Sequence, residues 1–95
     1  NKAVYLPNAF TPNNDNINDL YGVSAIGLRP DGFSLKIFDR WGKLVFKGNR
    51  PDDWWNGTLF NEGEPAPMGV YTAVLTYVDY GDQTFVEQTE VVLYR

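Results

Sequence analysis

The chain contains no cysteine and no histidine. Without cysteine there are no disulfides, no thiolate nucleophile and no thiolate zinc site. Without histidine, the commonest general base, the Ser-His pair and the commonest metal ligand are gone as well. No apolar run is long enough to cross a bilayer as a helix, and the opening residues do not form a signal peptide. Nor does any stretch repeat apolar residues at helical spacing over a useful length. Positive charge is scarce: eight Lys and Arg stand against twelve Asp and Glu, for a net charge of −4 and a pI near 4.5. The cations Lys36, Arg40, Lys43, Lys47 and Arg50 read as scattered rather than as a stripe that neutralises phosphates, so no nucleic-acid partner is expected. A first residue of Asn rather than Met reads as an excised piece of a longer protein, with any targeting segment lying upstream.

What is present is enough apolar material for a core. The 95 residues are 43% hydrophobic and 16% aromatic, which fits one folded domain over residues 1–95 and argues against disorder. The organising stretch is Phe33 to Phe46. Phe33, Leu35 and Ile37 fall on one face of a strand and Ser34 and Lys36 on the other, the period of two that marks a half-buried strand. Asp39-Arg40-Trp41-Gly42-Lys43 then reads as a hairpin turn in which Gly42 takes a positive φ.

Around that hairpin, Ala3-Val4-Tyr5-Leu6 reads as a first strand ended by Pro7, and Leu20 to Ile26 as a second. Between them, Asn8 to Asp19 is crowded with turn formers and reads as a loop pinned by Phe10 and Ile17. Arg29-Pro30-Asp31-Gly32 and Asn56-Gly57 mark turns, and Asn61 to Gly69 is a second long loop. Val70 to Asp79 is the clearest strand: Tyr71, Ala73, Leu75 and Tyr77 share one face, and β-branched residues fill the other. Tyr80-Gly81-Asp82 turns the chain into a last strand, Thr84 to Tyr94. The pattern predicts an all-β fold, an immunoglobulin-like antiparallel β-sandwich of about seven strands, with a small barrel as the runner-up.

Three features carry possible chemistry. The Asn13–Asp19 loop offers Asp15, Asp19 and Asn oxygens of calcium-binding type, but two carboxylates are few and Asp19 stands where an EF-hand needs Gly, so a self-bonded Asx-rich turn is the preferred reading. Trp41, Trp54 and Trp55 are candidates for a sugar- or matrix-binding platform; adjacent Trp54 and Trp55 point to opposite faces, so at most one is deeply buried. Asp52-Asp53 and Glu62/Glu64 are the only carboxylate pairs for glycoside hydrolysis, and their polar loops suggest no cleft. No enzymatic activity, metal or cofactor is expected.

Pro7-Asn8-Ala9-Phe10-Thr11-Pro12-Asn13-Asn14-Asp15-Asn16-Ile17-Asn18-Asp19 resembles the P-N-A-F-T-P-N-G-D-G-I-N-D opening of the gliding-motility-associated C-terminal domain, the type B sorting domain of the type IX secretion system of Bacteroidota. Four further blocks follow in the same order. Leu35 to Phe46 is similar to L-K-I-F-N-R-W-G-x-L-V-F, Trp55-Asn56-Gly57 to W-D/N-G, Pro67 to Tyr71 to P-D-G-V-Y, and Val91 to Arg95 to V-T-L-I-R. Asn14 and Asn16 stand where that family favours Gly, and Met68 where it has an acid. Asn tolerates left-handed backbone best among residues with a side chain, so the same loop geometry is expected of it.

The resemblance implies an address rather than a catalyst: a sorting domain that folds in the periplasm and sends an attached upstream cargo to the cell surface or medium. The implied partners are the outer-membrane translocon and a dedicated small outer-membrane protein. A carbohydrate-binding module and a passive immunoglobulin-like spacer are the rival readings. The residues expected to carry recognition are Phe10, Thr11, Pro12, Asn13, Asp15, Asn18 and Asp19 in the loop, Arg40, Trp41 and Gly42 in the hairpin, and Leu93 and Arg95 in the last strand. Docking by shape or by strand addition would suit a rigid sandwich.

Overall fold

Alternation along Gly69–Val78 dictates the central strand. Tyr71, Ala73, Leu75 and Tyr77 are buried on one face, while Thr72, Val74, Thr76 and Val78 are half-buried on the other. The computed structural model describes residues 3–12, 20–26 and 28–94. Its strands are β1 (Ala3–Tyr5), β2 (Ala9–Phe10), β3 (Ser24–Ile26), β4 (Ser34–Phe38), β5 (Leu44–Gly48), β6 (Gly69–Val78) and β7 (Thr84–Leu93), with one 3₁₀ turn at Leu59–Asn61. Among the described residues no helix is long and apolar enough to cross a membrane.

Five strands form one sheet in the order β2-β7-β6-β4-β5, and β1 pairs with β3 in a second, two-stranded sheet. Both contribute to one core, in which Leu35, Ile37, Ala73, Leu75 and Val91 pack with Tyr21, Val23, Leu28 and Trp55, and with Val4 at its margin. The result is the expected β-sandwich with one departure. The β2–β7 pairing is parallel, so the larger sheet is mixed rather than wholly antiparallel.

The hairpin forms as its pattern predicts, with one adjustment. Ile37 pairs with Phe46 but Phe38 pairs with Leu44, so Val45 is an extra residue in β5. That bulge lets Val45 and Phe46 both be buried although they are adjacent. The turn is a three-residue loop with Gly42 left-handed at φ 83°. Asp39 fixes it: its Oδ1 accepts from the backbone amides of Trp41 and Lys43, each at 2.9 Å.

Two expected elements differ. The second strand is shorter than Leu20–Ile26: Leu20 is exposed, and Tyr21 instead exchanges backbone hydrogen bonds with Trp55 at 2.8 and 2.7 Å. The stretch from Asn8 read as loop holds strand β2 at Ala9–Phe10, whereas the β6–β7 turn falls at Tyr80-Gly81-Asp82 as expected, with Asp82 left-handed (φ 63°) and Asp79 repeating the capping role of Asp39.

Candidate recognition surface

The strand directions place three of the sequence-predicted segments at one end of the large sheet. β2 runs parallel to β7, pairing Ala9 with Val92 and Phe10 with Leu93. Leu93 in turn pairs with Gly69 at the start of β6, and Phe38 at the end of β4 pairs with Thr72. The Arg40–Gly42 tip therefore projects beside Gly69 and Val70, level with Phe10 and Leu93. Three strand spacings, roughly 14 Å, separate β2 from β4.

Each residue plays a different part there. Phe10 and Leu93 are buried, so their side chains are closed to contact from outside and only their neighbours are open to it. The clasp between them is backbone: the amide of Val92 donates to Asn8 O at 2.9 Å and that of Tyr94 to Phe10 O at 3.1 Å. Thr11 and Pro12 are half-buried just beyond. Arg40 and Gly42 are exposed, Trp41 is 79% exposed, and the Arg40 guanidinium lies 4.9 Å from the Trp41 ring centroid in cation–π contact. Asn13, Asp15, Asn18, Asp19 and Arg95 lie outside the described residues, and with them the calcium-type reading of the Asn13–Asp19 loop. Among the described residues no group of three or more His, Cys, Asp or Glu is placed to hold a metal.

Sequence reasoning missed the groove that opens beside the hairpin tip. It has a volume of about 240 Å³ and is lined by Arg40, Trp41, Lys43, Leu59, Pro67 and Met68 among others. None of Asp52, Asp53, Glu62 or Glu64 reaches it; Asp53 instead accepts from the Asn49 amide at 3.0 Å and Asp52 sits 3.4 Å from Arg50. Of the nine exposed large hydrophobic residues described, Trp41, Met68, Val70 and Tyr94 share this end of the sheet, which makes it the apolar end of the surface.

The three tryptophans do not make a joint platform. Trp55 is fully buried between Phe10 and Tyr71, with ring centroids 5.2 Å from each, and its indole donates to Thr58 O at 2.7 Å. Trp54 is half-buried against Gly22, where a Cβ would come within 2.3 Å of the ring, so only glycine fits under it. Asn61, assigned only to a loop by its sequence, ties this corner together. Its amide donates to Trp54 O at 2.8 Å and its Oδ1 accepts from the Asn56 amide at 2.8 Å.

Tyr21 connects the core to the clasp. Its buried hydroxyl donates to Pro7 O at 2.6 Å, two residues before β2. Burial raises its pKa well above the ordinary tyrosine value, and Tyr5 adds to the rise. An unfolded tyrosine ionises near pH 10 while this one stays protonated, so above about pH 10 the native state holds the extra proton and stability falls as pH rises. Tyr21→Phe is expected to lose about 1–2 kcal/mol at neutral pH, from the missing hydrogen bond, and to show a shallower alkaline decline. Urea midpoints measured from pH 8 to pH 11.5 check both; an alkaline limb as steep as wild type would assign the decline to other groups.

A sequence profile of the family described as CHU_C, type IX secretion signal domain, matches residues 4–92. Among curated proteins no sequence matches the chain. A solved structure similar in fold is the crystal structure of CopC from Methylosinus trichosporium OB3b, at 15% identity and a TM-score of 0.63, covering 96% of this chain and 88% of that one. At that identity the likeness speaks for the β-fold alone.

Proposed function

This chain belongs to the type IX secretion signal domain family, and from that membership we propose that the secretion machinery reads it at the end of the sheet where β2, the last residues of β7 and the β4–β5 tip lie level. The domain is a sorting signal, which marks an attached cargo for export to the cell surface or the medium. On this reading the cargo precedes Asn1, the domain folds in the periplasm, and an outer-membrane translocon with a small outer-membrane partner recognises the folded surface. Recognition, not catalysis, is its task.

The observation that carries the proposal is the parallel β2–β7 clasp. It joins two segments about 80 positions apart in the chain into one short stretch of sheet, so the surface exists only once the domain has folded. A signal of this kind reports completed folding, whereas a linear peptide does not. The test is a fluorescent reporter carrying residues 1–95 at its C-terminus, expressed with the partner protein in a type IX-competent bacterium, beside a strain lacking the translocon. Reporter on the surface or in the medium only when the translocon is present is the expected result. Reporter held in the periplasm despite a folded domain would overturn it.

A further inference from the structure

The cations that read as scattered in sequence are gathered by the fold. Residues 36–50 hold Lys36, Arg40, Lys43, Lys47 and Arg50 against one acid, Asp39; the rest of the chain has three cations and eleven acids. Arg50 is near Asp52, but Lys36, Arg40, Lys43 and Lys47 form no ion pair among the described residues. Lys36 and Lys47 even stand directly opposite each other in the β4–β5 ladder, both exposed. Like charges so placed are destabilising, and nothing in the core requires them. The positive hairpin is thus a local reversal of sign on a chain of net charge −4.

At its tip the charge meets the groove. Arg40 and Lys43 line it together with Trp41, Pro67 and Met68, and with one acid, Asp39, whose Oδ1 is engaged by the Trp41 and Lys43 amides. Trp41 and Met68, 79% and 60% exposed, are a rigid aromatic and an adaptable thioether. Arg and Trp are the side chains most often found at the energetic centre of protein interfaces.

We propose that this groove binds an acidic segment of a protein partner in the secretion machinery. Such a segment would seat one apolar side chain against Trp41 and Met68 while its carboxylates meet Arg40 and Lys43. The proposal rests on the reading of the sheet end as the recognised surface, and it gives that surface a partner chemistry. A phosphate-bearing lipid surface would also be drawn to the cations, but it has no use for a concave apolar wall beside them, so the lining favours a peptide.

The test titrates the 95-residue chain with synthetic octapeptides that hold a central leucine flanked by no, two or four aspartates, and separately with vesicles of phosphatidylglycerol in phosphatidylcholine. Binding is followed by calorimetry. Affinity is expected to rise with aspartate count and to weaken with added salt. The double variant Arg40→Glu/Lys43→Glu should weaken the most acidic peptide at least about tenfold and gain affinity for a lysine-flanked peptide. Vesicle binding without peptide binding overturns the inference, and so does no peptide binding in the wild-type chain.

Reporter export separates this inference from the reading beneath it. Export lost in Arg40→Glu/Lys43→Glu, with melting unchanged, supports the acidic partner. If that variant is exported normally while Pro12→Arg/Tyr94→Arg is not, the acidic partner falls and the sheet-end reading stands. If both variants are exported normally, both fall.

Discussion

Trp55→Ala is expected to cost about 3–5 kcal/mol, a large part of the roughly 5–15 kcal/mol that holds a domain of this size together. At roughly 4–8 °C per kcal/mol, melting should fall by about 12–40 °C. The reason is position as much as volume. Trp55 packs against Phe10 of β2 and Tyr71 of β6, exchanges backbone hydrogen bonds with Tyr21, and holds Thr58 O through its indole. Truncation opens a cavity between the Phe10 and Tyr71 rings and takes from Thr58 O the shorter of its two hydrogen bonds, leaving only the Asn61 amide at 3.2 Å. It also removes the face on which Phe10 rests, so the β2 end of the proposed recognition surface loosens with the core. Trp54→Ala is the contrast: that ring is half-buried and packs over Gly22 at the margin, and its loss should cost far less. Urea unfolding followed by circular dichroism on both variants decides the matter. A Trp54 variant as unstable as the Trp55 variant would show that the core is centred elsewhere.

That contrast between neighbouring tryptophans was half legible in the sequence. Adjacent residues in extended backbone face opposite ways, so one deep burial was expected, but nothing in Trp54-Trp55-Asn56 says which side holds the core. Strand β6 was legible to within one residue at each end because the alternation from Val70 to Val78 carries its own facing. The hairpin turn was legible because Asp39 and Gly42 supply a cap and a left-handed residue at fixed offsets. Strand β2 was not. Two residues carry no period, and its partner lies at the other end of the chain, so only the folded register reveals the parallel pair. The charge cluster failed to show for the same reason. Lys36 and Lys47 become neighbours only through the β4–β5 register, and Arg40 and Lys43 gain their apolar surroundings from Pro67 and Met68, in a loop whose path the sequence leaves open. The members of the candidate surface could be named from the family resemblance; their assembly at one end of a sheet could not.

Removing Leu93, Tyr94 and Arg95 is expected to abolish export while most of the sheet survives. Leu93 is buried and pairs on one side with Gly69 and on the other with Phe10. Its loss should cost about 2–5 kcal/mol, and the missing Tyr94–Phe10 backbone bond about 1 kcal/mol more. The other nine residues of β7 keep their pairing with β6, and β4 and β5 are untouched, so the remaining strands retain a ladder and a core face. What is lost is the outer half of the clasp, the Phe10–Leu93 pairing and the Tyr94 bond to Phe10 O, while Val92 still donates to Asn8 O. At a temperature where circular dichroism shows the truncated domain still folded, the reporter should fall to the level seen without the translocon. Leu93→Met keeps the volume and the backbone bonds, costs less than about 1.5 kcal/mol, and should be exported. The pair separates recognition from mere stability. A truncated chain that is folded and exported at the wild-type level would make the clasp a structural device and leave the hairpin tip as the part the machinery reads. A truncated chain that is folded but retained ties export to the pairing of Phe10 with the last residues of β7, a feature that an incompletely folded domain cannot present.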